Sequence, residues 1–401
     1  MSEQKPAGAL AGVKVVDLSR VLGGPYCTQM LADHGAEVIK VEPPQGDETR
    51  DWGPPFKDGL SAYFSGINRN KRSIGLDIAR PEGRAVLLRL LEGADVLIEN
   101  FKAGTMEKWG IGYAQLSAKF PRLIHARITG FGSEGPLGGF PGYDAMVAAW
   151  AGLMSVNGSP ESGPMRLGVP LVDIGTGLNA AGGILMAMLE RGRSGKGQFL
   201  ETTLFDTALT FQHPHAPNVL MDPTYVPKPT GNRHPTVVPY QVVQAKGRAV
   251  LVGAGNDGQF RKFCAALGRP ELADDPRFRT NKDRQANRDV LADIIEPLVA
   301  AQDGEALAMQ LMNLGVPAGA LLTVPDVLNH PHTKAREMVV EKDGYRGTGI
   351  PIKFGRTPAE VRRKPPLFGQ HTREVLGEAG YAAPDIDKLI ADGIALVERR
   401  K

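Results

Sequence analysis

The sequence predicts an α/β protein built on a parallel sheet, with a second, smaller module set into the chain. Three observations carry that expectation. Short β-branched runs alternate with helical patterns through the first third of the 401 residues; a stretch dense in Pro, Gly and Asn, 214–241, breaks the alternation; and from about residue 335 the chain returns to the first texture. Strands separated by crossover helices lie parallel in one sheet.

The elements follow in order. VKVVDL (13–18) reads as a strand, GPYCTQMLADHGA (24–36) as a helix opened by Pro25, and EVIKVE (37–42) as the next strand. RSIGLDI (72–78) leads into PEGRAVLLRLLEGA (81–94), where Pro81 suits the first turn of a helix because its missing N–H has no intrahelical partner there. DVLIENF (95–101), RLIHARITGFG (122–132) and FLETTLF (199–205) supply further strands. Between them, Leu178 to Leu189 is apolar all round, so that helix is expected to be buried, against a second subunit if not within its own chain. AVLVGAG (249–255) opens the smaller module, with helices expected near 257–267, 283–301 and 304–315, and DIDKLIADGIALVERR (385–400) reads as a closing helix. The expected organisation is 1–213 as the first part of a large domain, 214–241 as linker and active-site loop, 242–334 as the small domain, and 335–401 as the return to the large one.

Composition narrows the function classes. Hydrophobic residues at 42% and charged residues at 23% describe an ordinary globular protein, and a formal charge of +3 is too small to argue for a nucleic-acid surface. Cys27 and Cys264 are too few for a disulfide framework, and His213 with His215 lack a third ligand nearby, so no metal site is expected. The opening MSEQKPAGALAG has neither an apolar signal core nor an Arg-rich amphipathic pattern, and the apolar runs are interrupted before spanning length; no membrane partner and a cytoplasmic location are the expectations.

Chemistry concentrates in four stretches. In PLVDIGTGLNAAGGILMAM (170–188), Asp173 stands alone before a glycine-laced apolar helix. It reads either as an N-cap, accepting backbone N–H bonds, or as a nucleophile already ionised at neutral pH, with Gly175 and Gly177 opening the backbone to a ligand. GGPYCTQMLADHGAEVIKVEPP (23–44) places glycines and a helix N-terminus after the first strand, with no GxGxxG fingerprint for a dinucleotide. IENFKAGTMEKWG (98–110) ends a strand with Asn100 and Phe101, where ligands of open α/β sheets sit; Phe101 could cover a purine and Lys108 meet a phosphate. GYDAM (142–146) brings Tyr143 and Asp144 after a glycine-rich loop, as a closing segment or simply as a helix start.

Together, VKVVDLSRVLGGPYCTQMLADHGAEVIKVEPP, NRNKRSIGLDIARPEG, DVLIENFKAGTMEKWG, PLVDIGTGLNAAGGILMAML and PLFGQHTREVLGEAGY resemble the family III CoA-transferases, typified by formyl-CoA transferase and carnitine CoA-transferase, in family order across nearly the whole chain. The resemblance implies a Rossmann-like large domain built from both chain ends, a small α/β domain, and an interlocked homodimer. It implies Asp173 as the nucleophile that forms a mixed aspartyl anhydride with an acyl-CoA. By the same matching, Leu22 and Gly23, Leu76, Asp77 and Ile78, Asn100, Phe101, Lys108, Tyr143 and Asp144 are implied to line the CoA site, with coenzyme A as substrate and no permanently bound cofactor. Arg20 and Leu22 depart from the His and Gln of formyl-CoA transferase, Pro43 from an Arg that contacts the nucleotide, and Pro141 from a Lys.

The same superfamily includes α-methylacyl-CoA racemases, which need two bases; they carry His where this chain has Tyr143, a poor base at neutral pH. The run 231–260 resembles the succinate–hydroxymethylglutarate type of transferase more than the oxalate type, so a dicarboxylate such as succinate or glutarate is the expected acid. Arg166, Arg233 and His234 are the candidate partners for its distal carboxylate, Arg being suited to bidentate recognition. A CoA-binding protein without turnover is the non-enzymatic alternative, disfavoured by the presence of Asp173.

Overall fold

A computed structural model describes residues 8–400. The chain forms two compact units: one comprises the chain up to Leu153, Leu167–Met221 and the chain from Lys334; the other comprises Met154–Arg166 and Asp222–Thr333.

The first unit is organised by a seven-stranded sheet. Its strands are β1 (Lys14–Asp17), β2 (Glu37–Glu42), β3 (Lys71–Leu76), β4 (Val96–Glu99), β5 (Ile124–Thr129), β6 (Phe199–Thr203) and β7 (Ala395–Leu396). They lie in the order β6-β5-β4-β1-β2-β3-β7, all neighbours parallel except β7, which runs antiparallel to β3. The first six strands thus have the order of a doubly wound sheet, in which the chain reverses direction between β1 and β4 and leaves a crevice at their carboxyl ends. The helices that matter to the site are α1 (Gly23–Asp33), α2 (Pro81–Leu90, with Pro81 at its start as expected), α3 (Asp144–Trp150), α4 (Leu171–Ser194) and α5 (Leu204–Thr210).

One expectation for this unit needs correction. The closing segment is not one helix: it is helical over Ala383–Ala391, turns at Gly393 (φ 67°), and pairs Ala395 and Leu396 with Leu76 and Gly75. The apolar helix α4 is not enclosed by its own chain. It packs on α1, β5 and β6, burying Ala180, Ala181, Ile184 and Ala187, while Leu185, Met186 and Leu189 on the other side stay exposed. By length and composition α4 could cross a membrane, but it carries the buried Arg191, whose guanidinium donates to Asp95 at 2.8 Å.

The second unit has a three-stranded antiparallel sheet of Tyr240–Val243, Val250–Gly253 and Ala318–Ala320. Helices Asp257–Ala266, Arg288–Ala300 and Gly304–Asn313 supply its core, with Phe260, Phe263, Leu291, Ile295, Leu307 and Leu311 packed together. The expected helix 283–301 is divided at Asn287, and the stretch read as linker contains a short helix, His215–Met221, which belongs to the first unit.

Candidate active site

The crevice at the carboxyl ends of β1 and β4 is a cavity of about 310 Å³. Arg20 to Gly23 after β1, Asn100 to Ala103 after β4, Ile128 to Gly130 at the end of β5, and Gly139 to Tyr143 of the glycine-rich loop line it, and Asp173 reaches it from the first turn of α4. Of the residues singled out in the sequence, Leu22, Gly23, Asn100, Phe101, Tyr143 and Asp173 meet here. No histidine is among the lining residues.

Asp173 is not an N-cap. It is the third residue of α4, after Pro170, and the cap comes from another helix: Asp144 Oδ2, in the first turn of α3, accepts the N–H groups of Val172 at 2.8 Å and Asp173 at 3.1 Å. A carboxylate at a helix N-terminus satisfies free backbone donors and the positive end of the helix dipole. The same arrangement sets two carboxyl groups side by side. Burial first, and then the Asp144 charge, push the Asp173 carboxyl up to about 7, in contrast to the fully ionised group expected from sequence. Tyr63 stands within the same field: burial and then Asp173 raise its hydroxyl to about 12, so it keeps its proton and can donate. It packs edge-on against Trp52, ring centroids 5.0 Å apart.

Gly175 and Gly177 do not open the backbone to a ligand. A Cβ on Gly177 would lie 2.5 Å from Gly23 O, and one on Gly175 2.2 Å from the Phe211 ring, so both serve close packing of α4 against α1 and against the segment after α5. The glycine that faces the carboxyl is Gly23, where a Cβ would stand 3.8 Å from Asp173 Oδ1.

The wall after β1 is held from below by buried charge. Asp17 accepts Ser19 N–H at 2.9 Å and Lys71 Nζ at 3.2 Å. Lys40 Nζ donates to Ser19 O at 2.9 Å and to Asp47 at 2.8 Å, and Asp47 accepts Val21 N–H at 3.4 Å. Glu42 in turn takes Asp47 N–H at 3.0 Å and the Arg50 guanidinium at 2.7 Å through each of two nitrogens. All of these charged side chains are buried. Burial pulls Lys71 down to about 8 against the attraction of Asp17. The network holds Val21 at φ 71°, a left-handed backbone that a β-branched residue adopts only under constraint. Asn100 completes it from β4: its Oδ1 accepts Arg20 N–H at 3.0 Å and its Nδ2 donates to Arg20 O at 2.8 Å. Its amide thus holds the wall through both its oxygen and its nitrogen. Sequence reasoning missed this network, because Lys40, Glu42, Asp47 and Arg50 read as an ordinary charged surface; the signal was their density around the end of a strand, in KVEPPQGDETR.

The remaining expected residues fall elsewhere. Leu76, Asp77 and Ile78 line a neighbouring cavity of about 340 Å³ whose wall also includes Pro43 and Trp109. Phe101 lines both cavities and packs edge-on against Trp109 at 5.5 Å. Lys108 is exposed at the end of the short helix Thr105–Lys108 and lines neither. Arg166, Arg233 and His234 belong to the second unit, where Arg166 is exposed, Arg233 donates to Asp289 at 2.6 Å, and His234 stacks on Tyr240 at 5.0 Å. Among the described residues no group of three or more His, Cys, Asp or Glu could hold a metal.

Comparison with known proteins bears on this geometry. The chain is 39% identical over 390 residues to a succinate–glutarate CoA-transferase of Agrobacterium fabrum, a match covering 94% of this chain and 97% of that one. It is 41% identical over 352 residues to an acetyl-CoA:oxalate CoA-transferase of Acetobacter aceti, covering 87% and 90%. A crystal structure of a CAIB/BAIF family protein from Brucella suis superposes with a TM-score of 0.85 at 41% identity, covering 93% of this chain and all of that one. The model of CoA-transferase family III matches residues 10–372, a span that takes in both cavities' strand ends and Asp173, and the chain belongs to that family.

Proposed function

We propose that the protein moves coenzyme A between a dicarboxylic acyl-CoA, such as succinyl-CoA, and a free dicarboxylate, such as glutarate, with Asp173 as the nucleophile. The observation that carries the reading is a carboxyl group presented on a capped helix turn into a crevice at the switch point of the sheet, beside a glycine that leaves its face open. The relatives named above act on oxalate, succinate and glutarate, all dicarboxylates, which supports the substrate class.

The steps balance without a further reagent. The ionised Asp173 carboxylate adds to the thioester carbonyl and expels CoA thiolate, leaving a mixed anhydride. The thiolate attacks the aspartyl carbonyl, releasing the first acid and leaving an aspartyl thioester. The incoming carboxylate attacks that thioester to form a second anhydride and free the thiolate again. Attack of the thiolate on the new acyl carbon then gives the product thioester and restores Asp173. Nothing is hydrolysed provided water is kept from the anhydrides. Tyr63, whose hydroxyl keeps its proton in the field of Asp173, is the proposed donor toward charge developing there.

We also propose a homodimer. The face of α4 turned away from its own sheet exposes Leu185, Met186 and Leu189, and neighbouring α3 exposes Met146 and Trp150; apolar surface of that kind calls for a partner. Incubation with succinyl-CoA and glutarate, followed by chromatography of the CoA esters, tests the activity: glutaryl-CoA and succinate in equal amounts are expected. Free CoA alone, or α-proton exchange without transfer, would count against it.

A further inference from the structure

Pro43 and Pro44 on the wall of the second cavity carry no charge that could meet a phosphate. We infer that Arg400, supplied by the far end of the chain, binds the 3′-phosphate of the CoA nucleotide. The inference rests on the transferase reading above. The thioester must reach Asp173 in the first cavity, and Phe101 is the wall shared with the second, so a CoA molecule with its sulfur at Asp173 has its nucleotide end available to the second cavity. That cavity suits a purine: Pro43, Ile78, Phe101 and Trp109 give it flat apolar sides. Arg400 is the one cationic side chain among the described residues that line it.

Arg400 is placed, not merely nearby. Its N–H donates to Pro44 O at 2.9 Å, which ties the segment after the last strand to the Pro43–Pro44 wall. The preceding residue, Arg399, grips both oxygens of Asp51 at 2.8 and 2.9 Å. Arg400 Nη2 donates to Gly393 O at 2.6 Å, and Nη1 forms a loose ion pair with Asp77 Oδ2 at 3.6 Å. The guanidinium is about half exposed, at 47%. It therefore keeps N–H donors for a phosphate, which a planar guanidinium binds through paired bonds. Asp77, on the same cavity wall, offers an acceptor suited to a sugar hydroxyl of the same nucleotide.

The test is calorimetric titration of wild type, Arg400→Gln and Arg400→Lys with CoA and with dephospho-CoA, which lacks only the 3′-phosphate. The expected result is that Arg400→Gln weakens CoA about 10- to 100-fold and leaves dephospho-CoA within about twofold, with Arg400→Lys in between. Equal weakening of both ligands, or no change in either, overturns the assignment while CoA binding by the wild type leaves the transferase reading standing. A wild-type chain that binds neither ligand contradicts that reading itself.

Discussion

Asp144 both caps and charges the helix turn that presents Asp173: its Oδ2 accepts the Asp173 N–H at 3.1 Å, and its negative charge adds to burial in raising the Asp173 carboxyl to about 7. As the proposed nucleophile, Asp173 has to be ionised to attack, and a carboxyl at about 7 is half protonated at neutral pH. Turnover is expected to rise with pH through about 7 and to fall about tenfold per unit below it. In Asp144→Asn the cap oxygen is kept and the charge removed, so the midpoint of the pH–rate profile moves below 7. A profile unchanged by Asp144→Asn would contradict the coupling.

The same shift has a signature in stability. The Asp173 carboxyl ionises from an ordinary value of 3.8 when unfolded and near 7 when folded, so the folded state holds its proton more tightly. Each rise in pH between those values costs stability, and the penalty is complete above about 7. Asp173→Asn, which cannot ionise, is expected to be more stable than wild type at pH 8 by about 4 kcal/mol, with the gain shrinking at pH 5. Thermal unfolding at the two pH values checks this; a difference independent of pH would refute it.

The contact between α1 and α4 admits no side chain at Gly177, where a Cβ would lie 2.5 Å from the backbone oxygen of Gly23. Gly177→Ala is expected to cost about 1–3 kcal/mol or more and to displace Gly23 from Asp173, lowering kcat beyond what the stability loss explains. Gly192→Ala, in the same helix with open space around it, is the control and is expected to be neutral or stabilising by up to about 1 kcal/mol. Comparable losses in both variants would mean that the close approach of α1 and α4 is not what excludes a side chain at Gly177.

The buried Lys40–Asp47 pair holds Ser19 and Val21 in place, so removing one member does two things. Lys40→Met or Asp47→Asn leaves a charge buried without its partner, at about 3–5 kcal/mol. The double variant Lys40→Met with Asp47→Leu is expected to regain much of that stability, yet to keep a raised KM, because Val21 has lost the acceptor that holds it at φ 71°. Recovery of KM together with stability would show the network to be structural only.

How much of this was legible beforehand depends on which physical signal each feature leaves. The six parallel strands show in β-branched runs such as VKVVDL and EVIKVE alternating with helical patterns, because parallel strands need crossover helices between them. Asp173 stands out as a lone carboxylate before an apolar helix, but its spacing fits a helix cap as well as a nucleophile, and only the resemblance to the family favours the second. Gly175 and Gly177 were misleading: glycine marks close approach, and here the approaching group is protein, not ligand. The Asp17–Lys71 and Lys40–Asp47 pairs were invisible, since charge in a sequence reads as surface and only the tertiary structure pairs it. The strand Ala395–Leu396 was read as helix because Leu389, Ile390 and Ile394 continue a helical spacing up to the turn at Gly393. The grouping of Leu76 to Ile78 with Pro43, apart from Asp173, required the order of strands across the sheet.

The central claim is that Asp173 becomes covalently acylated, and the most direct measurement is to incubate the protein with succinyl-CoA, quench with hydroxylamine, and map the adduct by peptide mass spectrometry. A hydroxamate at Asp173, absent from Asp173→Ala, is the result predicted here. Failure to trap an adduct at Asp173 with any acyl-CoA, accompanied by exchange of the substrate's α-proton into deuterated water, would contradict it.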